Sequence, residues 1–159
     1  MSRPNLYFAG PLFSEAELDY NNRVAADLEQ WFDVYLPQRD GGLLIDLVSS
    51  GVVPKAAYES IFERDISALA ACDVCLILLD GRAVDEGAAF ELGYAFALKK
   101  LCVGLQTDSR RLMPLGNNPM LQCPLQQTFA SVDGLLAWAH SYSQNCIQAH
   151  PASAIRANA

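Results

Sequence analysis

Short apolar runs alternate along this chain with longer segments of helical period. Asn5-Leu6-Tyr7-Phe8-Ala9 is a compact run stopped by Gly10-Pro11 and reads as a first strand. Ser14 follows as a helix cap, with Glu15 and Glu17 in the turn that favours acids, and this helix is expected to reach about Phe32. Val34 to Leu36 reads as a second strand, ended by Pro37. The stretch 38–54 holds Gly41-Gly42 and Ser49-Ser50-Gly51 around a short apolar run, and reads as a loop or mobile flap. A second helix is expected over 55–71, with Tyr58, Phe62, Ile66 and Leu69 forming an apolar stripe. The continuous run from Val74 to Leu79 has the pattern of a central parallel strand. Asp80-Gly81 ends it, and Asp85 caps a third helix over 86–100. Strands at 101–106 and 127–129, a proline-bearing loop or broken helix over 107–124, and a closing helix over 132–147 complete the order.

Strands alternating with helices of ~12–18 residues predict an α/β fold, doubly wound, with a mainly parallel five-stranded sheet and helices on both faces. One domain over 1–148 and a frayed tail over 149–159 are expected, with no internal repeat or linker. Such sheets bind ligands beyond the carboxyl ends of their strands. The loops after Ala9, Leu79 and Gln106 are therefore the places to search.

Charge and composition narrow the ligand. The formal net charge is -7, and basic residues adjoin only at Lys99-Lys100 and Arg110-Arg111. Such a chain repels polyphosphate backbones, so a small uncharged ligand is expected and a nucleic-acid polymer is not. No stretch approaches the ~20 apolar residues that span a bilayer, and the start lacks the apolar core of a signal peptide. A cytoplasmic protein with no membrane partner is the expectation. Five cysteines without framework spacing read as reduced thiols. Cys72 and Cys75 form a C-x-x-C, but no second pair or histidine cluster joins them. The pair opens an apolar strand run, where residues three apart point to opposite faces. Structural thiols, and no metal or cofactor, are expected.

The third helix carries the chemistry. From Gly87 to Leu98 it is apolar on nearly all sides, which predicts burial, and Glu91 is its one carboxylate. A buried carboxylate costs several kcal/mol unless it is paired or hydrogen-bonded. Glu91 in the second turn is expected to face the end of the preceding strand, where the helix dipole favours an anion. It is a candidate nucleophile, against the alternative of a carboxylate capping a nearby loop. Asp65 falls inside the apolar stripe of the second helix, while Glu59, Glu63 and Arg64 fill its wet face. A second acid on that stripe suggests paired carboxylates; the alternative is a salt bridge to Arg64 or Lys99. Asp85 alone reads as a helix cap. No Gly-rich dinucleotide loop, Walker loop or nucleophile elbow is present, and His140 and His150 lie far from the strand ends.

Four blocks, in this order, carry a family resemblance: Tyr7-Phe8-Ala9-Gly10-Pro11-Leu12-Phe13; Arg64-Asp65-Ile66 with Ala71-Cys72-Asp73-Val74; Asp85-x5-Glu91-Leu92-Gly93-Tyr94-Ala95; and Asn118-x-Met120-Leu121. The chain resembles the nucleoside 2-deoxyribosyltransferases from about Leu6 to Trp138. The resemblance implies a flavodoxin-like sheet and a retaining ping-pong reaction on 2'-deoxynucleosides and purine or pyrimidine bases. By that resemblance Glu91 is the nucleophile, Asp65 the acid that protonates the leaving base, and Tyr7 the group that orients the nucleophile. Asp85 would bind the sugar hydroxyls, and Gly10 and Met120 count with the substrate-binding residues. Asn118 would reach the 5'-hydroxyl from a neighbouring subunit, which implies a homo-oligomer, dimer-based and up to a hexamer, with a shared site. The related 2'-deoxynucleoside 5'-monophosphate N-hydrolases carry a serine where this chain has Asn118. Hydrolysis in place of transfer, and a non-catalytic nucleotide-binding module, are the other readings carried forward.

Overall fold

The computed structural model describes residues 3–42, 44–108 and 116–149. Arg110, Arg111, His150 and the rest of the expected tail lie outside the described residues. Along the chain run β1 (Asn5–Ala9), α1 (Glu15–Leu28), β2 (Asp33–Tyr35), a π-helical turn (Pro37–Gly41), α2 (Leu44–Ser49), α3 (Pro54–Ala71) and β3 (Val74–Leu78). Then come α4 (Glu86–Ala97), β4 (Leu101–Leu105), α5 (Pro119–Gln122), β5 (Gln127–Phe129) and α6 (Val132–Ala149). All strand pairings are parallel, and the sheet order is β2-β1-β3-β4-β5. This is the doubly wound α/β architecture the alternation predicts.

Strand pleating sorts side chains into two cores. Leu6, Phe8, Val74, Leu76, Leu78 and Val103 pack with α1 and α6 on one face. Tyr7, Ala9, Cys75, Ile77 and Cys102 pack with α3 and α4 on the other. Each fully buried leucine or isoleucine in these layers contributes about 1.5–3 kcal/mol of hydrophobic stabilisation. β3 is buried at every position, as its unbroken apolar run requires.

Ser14 caps α1 in a reciprocal box: its hydroxyl accepts from the Glu17 N–H at 3.3 Å, and Glu17 Oε2 accepts from the Ser14 N–H at 2.8 Å. The helix stops at Leu28, short of the expected Phe32, because the chain must turn to bury Phe32. α4 likewise ends at Ala97, where Lys99 enters the left-handed region at φ 59°.

Three expectations are corrected. The stretch 38–54 is more than a loop, since the π-helical turn and α2 fill most of it. Cys72 and Cys75 do not face apart but share one core, because Cys72 closes α3 and only Cys75 lies on β3. α4 is not buried all round: Ala88, Leu92 and Ala95 meet the sheet, while Phe90 and Phe96 are more than half exposed. A helix laid on one side of a sheet can bury only the stripe that touches it.

Candidate active site

Register places the first functional pair. Tyr7 of β1 lies opposite Tyr35 of β2, so both side chains leave the sheet on the α3/α4 side. Neighbouring strands stand about 4.8 Å apart, and the two rings stack at 5.3 Å with an interplanar angle of 17°. Helices then bring a carboxylate to each hydroxyl. The Tyr7 hydroxyl donates to Glu91 Oε1 at 2.6 Å, and the Tyr35 hydroxyl donates to Asp65 Oδ1 at 3.0 Å. Glu91 comes from α4 and Asp65 from α3, so two helices and two strands converge on one constellation.

Both carboxylates line a cavity of about 430 Å³, walled by Leu12, Phe13, Pro37, Leu44, Ile66 and Phe90. The apolar wall raises the cost of charge there. Burial pushes the Glu91 carboxyl up to about 8; the Tyr7 hydrogen bond opposes this, while Asp65 and Asp85 add to it. Burial likewise raises Asp65, against the Tyr35 hydrogen bond and the nearby Arg64 guanidinium. Burial and the carboxylates Glu91 and Asp65 push the Tyr7 hydroxyl far upward, so Tyr7 remains a donor. Such an arrangement can supply a nucleophile, a proton carrier and two fixed donors in a largely apolar pocket.

The sequence-derived candidates divide into two groups. Tyr7, Glu91 and Asp65 are brought together. Asp65 is held by Tyr35, not by an ion pair with Arg64 or Lys99; Arg64 turns to the Gly41 carbonyl at 3.3 Å. Asp85 caps α4, its Oδ2 accepting from the Ala88 N–H at 2.9 Å, and its charge reaches Glu91. Gly10 ends β1 without lining the cavity; a Cβ there would stand 3.3 Å from Leu78 Cβ. Asn118 caps α5 through the Met120 N–H at 2.9 Å, and both residues are exposed and do not line this chain's cavity.

Among the loops singled out from sequence, those after β3 and β4 are tied to each other. Asp80 Oδ1 accepts from the backbone N–H groups of Thr107 and Asp108 at 2.6 and 2.7 Å, and neither Asp80 nor Thr107 lines the cavity. Two residues of the constellation were not anticipated. Tyr35 offers one signal, a polar-tipped aromatic between Val34 and Leu36, but its partner depends on strand register. Gly41 matters by absence, since a Cβ there would lie 2.6 Å from Asp65 Oδ1 and 3.1 Å from the Tyr35 hydroxyl. A wider groove of about 540 Å³ runs along the β2 edge past Arg3, Glu29, Asp33 and Asp40. Its acids already pair with Arg3 and Arg39.

Relatives can be set beside this geometry. An uncharacterized protein of Ureaplasma parvum serovar 3 is 32% identical over 98 residues, covering 60% of this chain and 61% of its own. The chain thus spans about three fifths of that relative's length. A conserved protein from Enterococcus faecalis V583 superposes with a TM-score of 0.71 at 28% identity, covering 89% of this chain and 99% of that one. A 2-deoxyribosyltransferase from Bacillus psychrosaccharolyticus gives a TM-score of 0.68 at 20% identity, over 87% and 95% of the two chains. A CMP N-glycosidase from Clostridium botulinum gives 0.55 at 14% identity, over 86% and 98%. The last two show a shared fold. Residues 6–148 match the sequence profile of the nucleoside 2-deoxyribosyltransferases, a span that holds Tyr7, Tyr35, Asp65 and Glu91, and the chain belongs to that family.

Proposed function

We propose that this protein transfers the 2-deoxyribosyl group of a 2'-deoxynucleoside from one base to another through an ester on Glu91. The observation that carries this reading is the pair of carboxylates in one apolar cavity, each fixed by its own tyrosine. Tyr7 occupies Glu91 Oε1, which leaves Oε2 to attack the anomeric carbon. As that C–O bond forms, the glycosidic C–N bond breaks and Asp65 gives its proton to the departing base. An incoming base then attacks the anomeric carbon of that ester, loses its proton to Asp65 and displaces the Glu91 carboxylate. Two displacements retain configuration.

Asp85 is assigned to the sugar hydroxyls with its remaining acceptor capacity, and Gly10 is assigned to substrate binding at the end of β1, where it packs closely on Leu78. Asn118 and Met120 act on a neighbouring subunit's substrate, so the working unit is a homo-oligomer. Their exposure, together with the exposed Phe13, Phe62 and Phe90 near the cavity mouth, supports this.

Incubation with deoxyinosine and adenine tests the reading, with deoxyadenosine as the expected product. Glu91→Gln should remove that product; a variant keeping more than roughly a tenth of wild-type turnover would refute the nucleophile. Free base without exchange would identify a hydrolase. No product across several base pairs would leave a nucleotide-binding module. Deoxyadenosine should also outperform its 5'-monophosphate, given the net charge of -7.

A further inference from the structure

We propose that Tyr35 is a positioning residue for Asp65: its hydroxyl occupies Oδ1, so that Oδ2 carries the proton exchanged with the base. This rests on the transfer reading above and adds to it the group that orients the acid. Three features converge on it. The Tyr35 hydroxyl donates to Oδ1 at 3.0 Å. Its ring is clamped by the 5.3 Å stack on Tyr7, which itself fixes Glu91, so the two carboxylates are positioned by one paired platform of rings. Gly41 leaves room for the contact, because any side chain there would crowd both Oδ1 and the hydroxyl.

The chemistry requires such a group. When Asp65 is neutral, a donating Tyr35 hydroxyl pairs best with the carbonyl-like oxygen, which favours the acid proton on Oδ2. As the glycosidic bond breaks, the proton leaves Oδ2 for the base nitrogen and negative charge grows on the carboxylate. The hydrogen bond to Oδ1 strengthens as that charge appears, so it favours the transition state over the ground state. In the second half-reaction the same bond holds Asp65 ready to take the proton of the incoming base. A tyrosine that merely satisfied a buried carboxyl would stabilise the fold without distinguishing one leaving group from another.

Leaving groups therefore provide the test, using the full-length protein and Tyr35→Phe. Deoxyadenosine needs its base protonated; 7-methyl-2'-deoxyguanosine, whose base is already cationic and departs neutral, does not. The variant should lose about 10- to 100-fold in kcat on deoxyadenosine, a share of what a general acid supplies, and change less than about threefold on the methylated nucleoside, with little change in KM. Gly41→Ala should reproduce this pattern. Equal losses on both substrates with an active wild type would overturn the positioning role alone. A wild type inactive on both would overturn the transfer reading, and the proton delivery with it. A carbon-13 titration of Asp65, its resonance assigned with Asp65→Asn, gives a readout independent of turnover. Tyr35→Phe should raise its midpoint, because the carboxylate form loses a donor, and an unmoved midpoint would also overturn the proposal.

Discussion

Glu91 is caught between desolvation and hydrogen bonding, and desolvation wins. Its carboxyl sits at about 8 in the folded chain, whereas an unfolded glutamate titrates near about 4.3. Between those values the folded state holds a proton that the unfolded state has released. Stability from this group is therefore full below about pH 4.3 and is lost as pH rises through about 8. Glu91→Gln keeps the shape and an acceptor for the Tyr7 hydroxyl but never ionises. It should match wild type near pH 4.5 and exceed it at pH 8.5 by on the order of a few kcal/mol. Urea unfolding of both proteins at the two pH values measures this, and parallel curves would mean the charge is not desolvated. The same burial that weakens the fold makes the carboxylate more basic and a better nucleophile, a trade expected of an active site.

Elements were legible in proportion to how local their causes are. The helix start at Ser14 and the Asp85 cap need only neighbours within one turn, and both stand where the sequence places them. Glu91 was legible too, as a lone acid in an apolar helix. Tyr58 and Phe62 fall on the apolar stripe by spacing, yet they are 63% and 57% exposed. The reason is that α3 packs on the sheet only from Ile66 and Leu69 onward, while its earlier turns overhang the cavity, which Tyr58 and Phe62 line. Periodicity marks a face without saying whether a core or a pocket lies beneath it. Tyr35 and Gly41 escaped for a related reason, since their meeting with Asp65 depends on register and on a π-helical turn, neither of which leaves a local pattern. The end of α4 provides a test at this scale. Lys99 adopts φ 59°, a left-handed conformation that costs a non-glycine residue about 1–2 kcal/mol. Lys99→Gly should relieve most of that, less the entropy glycine loses on folding, for a gain of up to about 1 kcal/mol. A melting temperature higher by about 2–4 °C is expected, and an unchanged or lower one would mean the lysine side chain compensates elsewhere.

Across the whole molecule, the distribution of site residues decides what counts as one active unit. Tyr7, Asp65 and Glu91 converge within a single chain, whereas Asn118 and Met120 are exposed at the start of α5. Met120 is 80% exposed, as is Phe13 at the cavity wall, and such apolar surface is what subunit contacts cover. In a two-fold dimer each subunit would lend its Asn118 to the partner's cavity. This arrangement predicts complementation between inactive variants. On the proposed roles, Glu91→Gln would lack the nucleophile but keep a sound Asn118; Asn118→Ala would keep the nucleophile but could not serve a neighbour. When subunits of the two are exchanged at equal concentration, about half the dimers are mixed, and each mixed dimer has one site with both residues intact. Turnover should recover to about a quarter of the wild-type value, once the exchange is complete. If Asn118 served its own chain, every site in the mixture would lack one residue or the other, and activity would stay at the sum of the separate variants.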